Sequence, residues 1–155
     1  MSKSLARVER ALLEAGLSLQ IREMPGETRT ARQAAEMVGC ALDQIVKSIV
    51  FSGADSGRIV LFLTAGGNSV QPERASALAG EPLARAEPAD VRAQTGFAIG
   101  GVAPVGHKSA VPAFLDRRLL DFDLVWAAAG TPRHVFSCPP AELLRITPAE
   151  LGDFT

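Results

Sequence analysis

The chain is poor in the residues that build disulfide scaffolds and structural zinc sites. Two cysteines occur in 155 residues, Cys40 and Cys138, far apart and outside any CxxC pair. That excludes a disulfide framework and a zinc knuckle, and a reduced, intracellular (cytoplasmic) protein is the expectation. Charge of one sign is also lacking: 16 basic and 17 acidic residues leave a formal net charge of −1. Proteins that live on phosphate contacts are usually basic, which argues against extensive nucleic-acid binding and leaves room for a small local contact. No apolar run is long enough to span a bilayer, and Met1-Ser2-Lys3-Ser4 leads into an amphipathic pattern without a signal-peptide core. No membrane partner is expected. Neither an internal repeat nor a low-complexity linker is present.

What is present is material for one core. Hydrophobic residues make up 47% and charged residues 21%, which suits a single folded domain over residues 1–155. The stretch around which the chain is organised is Ile45-Val46-Lys47-Ser48-Ile49-Val50-Phe51. It is rich in β-branched residues and too short for a buried helix, so it reads as a strand. Alternation puts Ile45, Ile49 and Phe51 on one face and Val46 and Val50 on the other. Lys47 shares the first face, where an unpaired ammonium is costly. Two readings stay open: a lysine that snorkels to a sheet edge, or a cation held at the floor of a pocket.

The rest of the chain alternates helices and strands without a steady βαβ rhythm. Ser4–Gly16 has helical period, and Leu17, Leu19 and Ile21 alternate like a half-buried strand. Thr30-Ala31-Arg32-Gln33 fits a capping box, with Gln33 reaching back, and opens a small-residue helix that stops at Gly39. A hairpin turn within Phe51–Gly57 leads to a second apolar strand, Ile59–Leu63, and the pair should form the centre of the sheet. Ala65-Gly66-Gly67-Asn68 breaks that strand. Lacking a following GK[ST], it reads as a plain turn rather than a phosphate loop.

Pro72, Pro88, Pro140 and Pro148 each sit where a first helical turn would begin. Phe97–Gly100 is expected to be a short strand. Val111–Leu115 is expected to be an edge strand because of Pro112, with further strands at Leu124–Ala128 and His134–Ser137. The expected fold class is α+β, with a mixed, curved sheet. Gly100-Gly101-Val102-Ala103-Pro104-Val105-Gly106-His107 cannot be regular structure. Its glycines permit close backbone approach and its proline fixes the path, so its N–H groups could serve an ester or carboxylate oxygen. An ordinary connecting loop is the other reading.

These elements together carry a resemblance. Thr30-Ala31-Arg32 before a helix, Ile45-Val46-Lys47-Ser48 on a strand, the Gly100–Gly106 loop and the Ala128-Ala129-Gly130 strand end occur in an order and spacing similar to the YbaK / prolyl-tRNA-synthetase-associated editing domains. The resemblance runs from about Leu5 to Leu151. It implies a mixed sheet, partly closed like a barrel, with helices around it. It also implies hydrolysis of mischarged aminoacyl-tRNA, in the form of a free-standing, trans-editing protein. The substrates implied are small aminoacyl groups on tRNA-Pro or a related tRNA.

Residue by residue, the resemblance implies that Lys47 helps to hold the terminal adenosine and the aminoacyl ester. It implies that Gly100 and Pro104 belong to a GxxxP loop positioning the ester carbonyl and the attacking water. Gly101, Val102 and Ala103 lie within that loop, Gly130 lines the pocket, and Thr30 precedes the helix that covers it. His107 and Asn68 sit near these motifs. Lys47, Gly100 and Gly101 are thus the candidate catalytic residues, and Thr30, Val102, Ala103, Pro104, His107 and Gly130 the candidate substrate-binding ones.

No cofactor and no metal is implied. The partner is the acceptor end of an aminoacyl-tRNA, and an aminoacyl-tRNA synthetase is admitted as a second. An aminoacyl ester is already activated, so water positioning and oxyanion stabilisation can supply most of the rate. His107 and His134 without HExxH make a weak metal hydrolase. Cys40 and Cys138 have no base nearby in sequence. The stronger alternative is non-catalytic: a module that binds tRNA ends, nucleotides or an amino acid.

Overall fold

A computed structural model describes residues 2–155. Helix α1 (Lys3–Glu14) is capped by the Ser2 hydroxyl, which accepts from the Leu5 N–H, and it buries Val8 and Leu12. After the short strand β1 (Ile21–Glu23) comes α2 (Ala31–Val38). Thr30 caps α2 by accepting from the Gln33 N–H at 3.1 Å, and Gln33 reaches back to the Arg29 N–H at 2.9 Å. Gly39 ends the helix with φ of +79°, a conformation cheap for glycine.

The centre of the sheet is the antiparallel hairpin of β2 (Ile45–Gly53) and β3 (Ile59–Ala65), paired from Val46↔Ala65 to Ser52↔Ile59. Its turn is tied to Glu81, whose carboxylate accepts from the Asp55 and Ser56 N–H groups at 3.0 and 2.9 Å. Then follow α3 (Pro72–Ala79), β4 (Leu83–Arg85), α4 (Pro88–Thr95), β5 (Ala113–Asp116), β6 (Val125–Thr131), β7 (His134–Cys138), α5 (Pro140–Ile146) and β8 (Glu150–Gly152). The sheet is mixed and open, in the order β1-β7-β6-β2-β3-β5-β8, with β4 paired to the β6 side of β2. The α+β class and the mixed sheet around this hairpin are as expected. Among the described residues no helix is long and apolar enough to cross a membrane.

Four local expectations are corrected. Phe97–Gly100 is a bend and turn, not a strand; Phe97 is wholly buried and Gly100 takes φ of +93°. Leu17–Gln20 is irregular, and only Ile21–Glu23 pair, with β7. β5 is interior, flanked by parallel β3 and β8. Pro112 sits just ahead of it and serves the ladder through its carbonyl, accepting from the Leu61 N–H at 2.9 Å. Pro148 opens no helix: Glu150–Gly152 adds β8 to β5. In both places proline precedes a strand, Pro112 immediately before β5 and Pro148 two residues before β8.

β3 is buried along its whole length, and its two faces feed different clusters. Ile59, Leu61, Leu63 and Ala65 join the main core with Val8, Leu12, Val91 and Leu143, beneath α1, α4 and α5. Val60 and Phe62 pack with Ala75 and Phe154 on the opposite face. A third cluster joins Ala34 and Ala35 of α2 to Ile45. Ile45 lies in the third cluster and Ile49 packs on the second, so Lys47, on their face, falls in the gap between them.

Candidate active site

β6 runs parallel to β2 only through Ile45↔Trp126 and Val46↔Ala127. Beyond that register lies a cleft of about 750 Å3, within the range of small-ligand sites. Its floor is β2 from Ile45 to Ile49. Its walls are the first turn of α2 with the preceding Glu27–Thr30, the β6–β7 turn, and the loop bearing Ile99, Gly100 and Val102.

Lys47 is half-buried on this floor and its ammonium donates to the main-chain carbonyl of Asn68. The turn that offers this carbonyl is itself pinned. Asp116, buried at 4% exposure, accepts from the Asn68 side-chain amide at 2.9 Å, the Ala65 N–H at 3.1 Å and the Arg118 N–H at 3.0 Å. Asp43 accepts from the Gly67 N–H at 2.7 Å and pairs with Arg118 at 3.0 Å. A Cβ on Gly66 would lie 2.2 Å from the Leu42 carbonyl oxygen. Gly66 and Gly67 therefore serve close packing, and the Gly67 N–H is already spoken for by a carboxylate; the plain-turn reading holds.

The Gly96–His107 segment is held at both ends by one side chain of α1. Arg7 donates to the Gly96 carbonyl at 2.5 Å and the Gly106 carbonyl at 3.3 Å, and its guanidinium lies 4.9 Å from the Phe97 ring centroid. His107 meets the same ring edge-on, and its Nε2 is 2.6 Å from the Ala103 carbonyl oxygen. In the neutral imidazole that carries its proton on Nε2, this nitrogen donates the bond. Burial pushes the His107 pKa down; the Ala103 bond opposes this and the Arg7 charge adds to it.

Of the residues singled out in the sequence, Thr30, Lys47, Gly100 and Val102 line the cleft together. Gly101 lies behind the wall, where a Cβ would come within 3.0 Å of the Thr131 Cα. Ala103 is wholly buried. Pro104 and His107 line a separate cavity of about 270 Å3 against Ala11 and Ile146. Gly130 faces α1: its Cβ would sit 2.8 Å from the Ser4 carbonyl oxygen, and its φ is +97°.

The cleft also contains residues the sequence reading did not place there, among them Arg29, Ser48, Trp126, Thr131 and His134. His134 had stood out only as a weak metal ligand. Its Nδ1 lies 2.7 Å from the Thr131 hydroxyl oxygen, which accepts from the Arg133 N–H at 3.1 Å. Those contacts are satisfied when the hydroxyl donates to Nδ1, leaving the proton on Nε2. The signal was the tight Thr131-Pro132-Arg133-His134 turn, which returns the chain beside the β6 end. The thiols are poorly suited to nucleophilic work. Burial, with Glu142 nearby, pushes Cys138 up to about 12, and burial raises Cys40 as well.

Residues 25–146 match the aminoacyl-tRNA editing domain, and the chain belongs to that family. A solved structure described as a candidate trans-editing enzyme for prolyl tRNA synthetase is 48% identical, covering 100% of this chain and 98% of its own, with a TM-score of 0.92. The uncharacterized protein YwhH of Bacillus subtilis (strain 168) is 30% identical over 135 residues, 87% of this chain and 80% of that protein. EbsC of Enterococcus faecalis (strain ATCC 700802 / V583), by name a candidate Cys-tRNA(Pro)/Cys-tRNA(Cys) deacylase, is 23% identical over 126 residues, 81% of this chain and 77% of its own. Family and relatives support a tRNA deacylase role.

Proposed function

We propose that the protein is a free-standing deacylase that clears small, wrongly attached amino acids from the acceptor end of tRNA-Pro or a related tRNA. The observation that carries this reading is Lys47, an ammonium held through Asn68 to the buried Asp116 at the floor of a cleft walled by the Gly100–Val102 loop. The terminal adenosine and its ester enter from the rim, where Arg29 and Arg32 are exposed. Water attacks the ester carbonyl, the carbonyl oxygen takes the negative charge, and collapse expels the ribose oxygen, which leaves as a hydroxyl. The products are the free amino acid and uncharged tRNA.

Lys47 orients the ester and main-chain N–H groups bear on the oxyanion, so the barrier falls through positioning and preorganised dipoles. The tRNA-Pro assignment is supported by the 48% identical relative, which spans the whole chain. A second sieve of this kind suits small side chains, because one methylene separates substrates by only about 1–3 kcal/mol in a binding site. A synthetase partner is consistent with the net charge of −1, which gives little general affinity for tRNA.

The test is a deacylation panel. Purified protein is mixed with tRNA-Pro and other tRNAs charged with alanine, cysteine, serine, threonine and proline. Multiple turnovers on one or more small non-cognate esters are expected, with prolyl-tRNA-Pro spared. Saturable binding without turnover on every ester overturns the enzyme reading in favour of a binding module.

A further inference from the structure

The cleft floor exposes main chain as well as side chain. The Gly53 N–H donates to the Arg58 carbonyl at 2.9 Å, and the β2–β3 register runs back from there to Val46↔Ala65 without a slip. Main-chain groups alternate between the two edges of a strand. Lys47, Ile49 and Phe51 therefore point their N–H and C=O groups at β3, and Ser48 points its own at the opposite edge. That edge is covered at its ends only, by β6 at Ile45 and Val46 and by β4 from Phe51 to Gly53.

The Ser48 N–H and C=O fall in the interval between. Among the described residues no loop or side chain takes them up. Ser48 lines the cleft and is half-buried, while its Oγ is enclosed and has no partner among the described residues. The surface it presents to the cleft is thus its main chain and Cβ.

We infer that this bare edge holds the aminoacyl group of the substrate as though it were one residue of a missing strand, an inference that rests on the deacylase reading. An aminoacyl ester carries an ammonium donor and a carbonyl acceptor on adjacent carbons, as a strand residue carries N–H and C=O. In a hydrogen-bonded antiparallel pair, opposed residues exchange both bonds. The Ser48 C=O accepts from the α-ammonium, and the Ser48 N–H donates to the ester carbonyl. As charge develops on that carbonyl oxygen, the same N–H becomes an oxyanion donor.

The seating also sets which way the amino-acid side chain points. Directly opposed residues share a face of the sheet. The Ser48 face is that of Val46 and Val50, on the side of the main core. The substrate side chain turns toward Val102 and Ala127, each 3% exposed and both lining the cleft. Little can be accommodated there, so small residues are selected. Lys47, on the other face of β2, meets the ester from the opposite side.

The experiment uses tRNA-Pro carrying the fastest small aminoacyl ester of the panel, its α-hydroxy counterpart and its N-acetyl counterpart. Each rate is expressed over that ester's own uncatalysed hydrolysis. Loss of a charge-assisted bond predicts about a tenfold to hundredfold smaller enhancement for the α-hydroxy ester, and abolition for the N-acetyl ester. An amide-to-ester replacement of the Lys47–Ser48 peptide bond removes the N–H. It should slow the free-amine and α-hydroxy esters alike, with the far-UV spectrum and Tm checked to confirm folding.

Equal enhancement on all three esters overturns the inference and leaves the deacylase reading standing. An unchanged rate in the folded backbone variant also overturns it. No hydrolysis of any charged tRNA overturns both.

Discussion

Asp116 accepts from the side-chain amide of Asn68 at 2.9 Å, and the carbonyl of that same Asn68 receives the ammonium of Lys47. A buried carboxylate thereby fixes the cation of the cleft through one intermediate residue. Lys47 touches substrate in the proposed reaction, and Asp116 acts only through it. Lys47→Ala should reduce deacylation by about a hundredfold or more. Asn68 keeps its remaining bonds, so Tm should change by less than about 4 °C. A melted protein, or a fully active one, would make Lys47 a structural lysine.

Asp116→Asn should be costlier to the fold. It turns one acceptor of a three-donor site into a donor, a loss of about 2 kcal/mol, read as a fall of roughly 4–8 °C in Tm for a domain of this size. Its effect on rate should vanish in the Lys47→Ala background, because residues in one network are not additive. If the double variant is slower than Lys47→Ala by the full Asp116→Asn factor, the relay through Asn68 is absent.

Arg7 should matter although it lies outside the residues 25–146 that match the family. Its bonds to the Gly96 and Gly106 carbonyls close the loop that carries the cleft-wall residues Ile99, Gly100 and Val102. Arg7→Ala should cost about 2–4 kcal/mol, from hydrogen bonds to a charged group plus the contact with Phe97. Arg7→Lys should recover little of this, since a single ammonium cannot span both carbonyls. Chemical denaturation and deacylation measured together test the point. Full rescue by lysine would mean that charge alone suffices.

His107 should give the fold a pH dependence on the acid side. Its folded pKa is lowered, by burial first and by the Arg7 charge as well. The unfolded chain therefore takes up the proton first as pH falls. The stabilisation is complete above the ordinary imidazole value of about 6.5 and is lost below it, toward the depressed folded value. One proton gives a slope of at most about 1.4 kcal/mol per pH unit. Melting curves at pH 7.5 and 5.5 should show a drop that shrinks in His107→Gln. An equal drop in both proteins would assign the dependence elsewhere.

The fold was legible where a pattern is local. Thr30 and Gln33 announced their cap, and the alternation from Ile45 to Phe51 put Lys47 on the correct face. The strand at Glu150–Gly152 was not legible, because three residues carry no period and their pairing partner, β5, lies far back in the chain. In the site, Lys47 was readable because a charge in an apolar strand needs an explanation. Asp116 was not, because two of its three partners, Ala65 and Asn68, are brought to it only by the β3–β5 pairing. Ser48 was hidden for a further reason: its contribution is an unpaired backbone edge, set by where β6 and β4 stop.

Gly101 and Gly130 should separate loop position from pocket width. Enlarging Gly130 would be a size filter if it lined the cleft, but its Cβ would strike the Ser4 carbonyl oxygen at 2.8 Å in a left-handed conformation. Gly130→Ala should therefore lower Tm and leave the ranking of aminoacyl esters unchanged. Gly101 is different: its Cβ would press on the Thr131 backbone at 3.0–3.2 Å, and Thr131 holds His134 in the cleft. Moving that turn by a few tenths of an ångström displaces a cleft wall while the core strands stay in place. Gly101→Ala should slow deacylation about tenfold to a hundredfold, since small misplacements near a reacting ester are expensive, with Tm lowered less than in Gly130→Ala. Ala127→Val, which narrows the cleft on the face of Val46, should slow the larger aminoacyl esters before alanyl. If Ala127→Val, still folded, leaves the ranking of aminoacyl esters unchanged, the aminoacyl side chain does not lie beside Val102 and Ala127, and the seating opposite Ser48 fails with it.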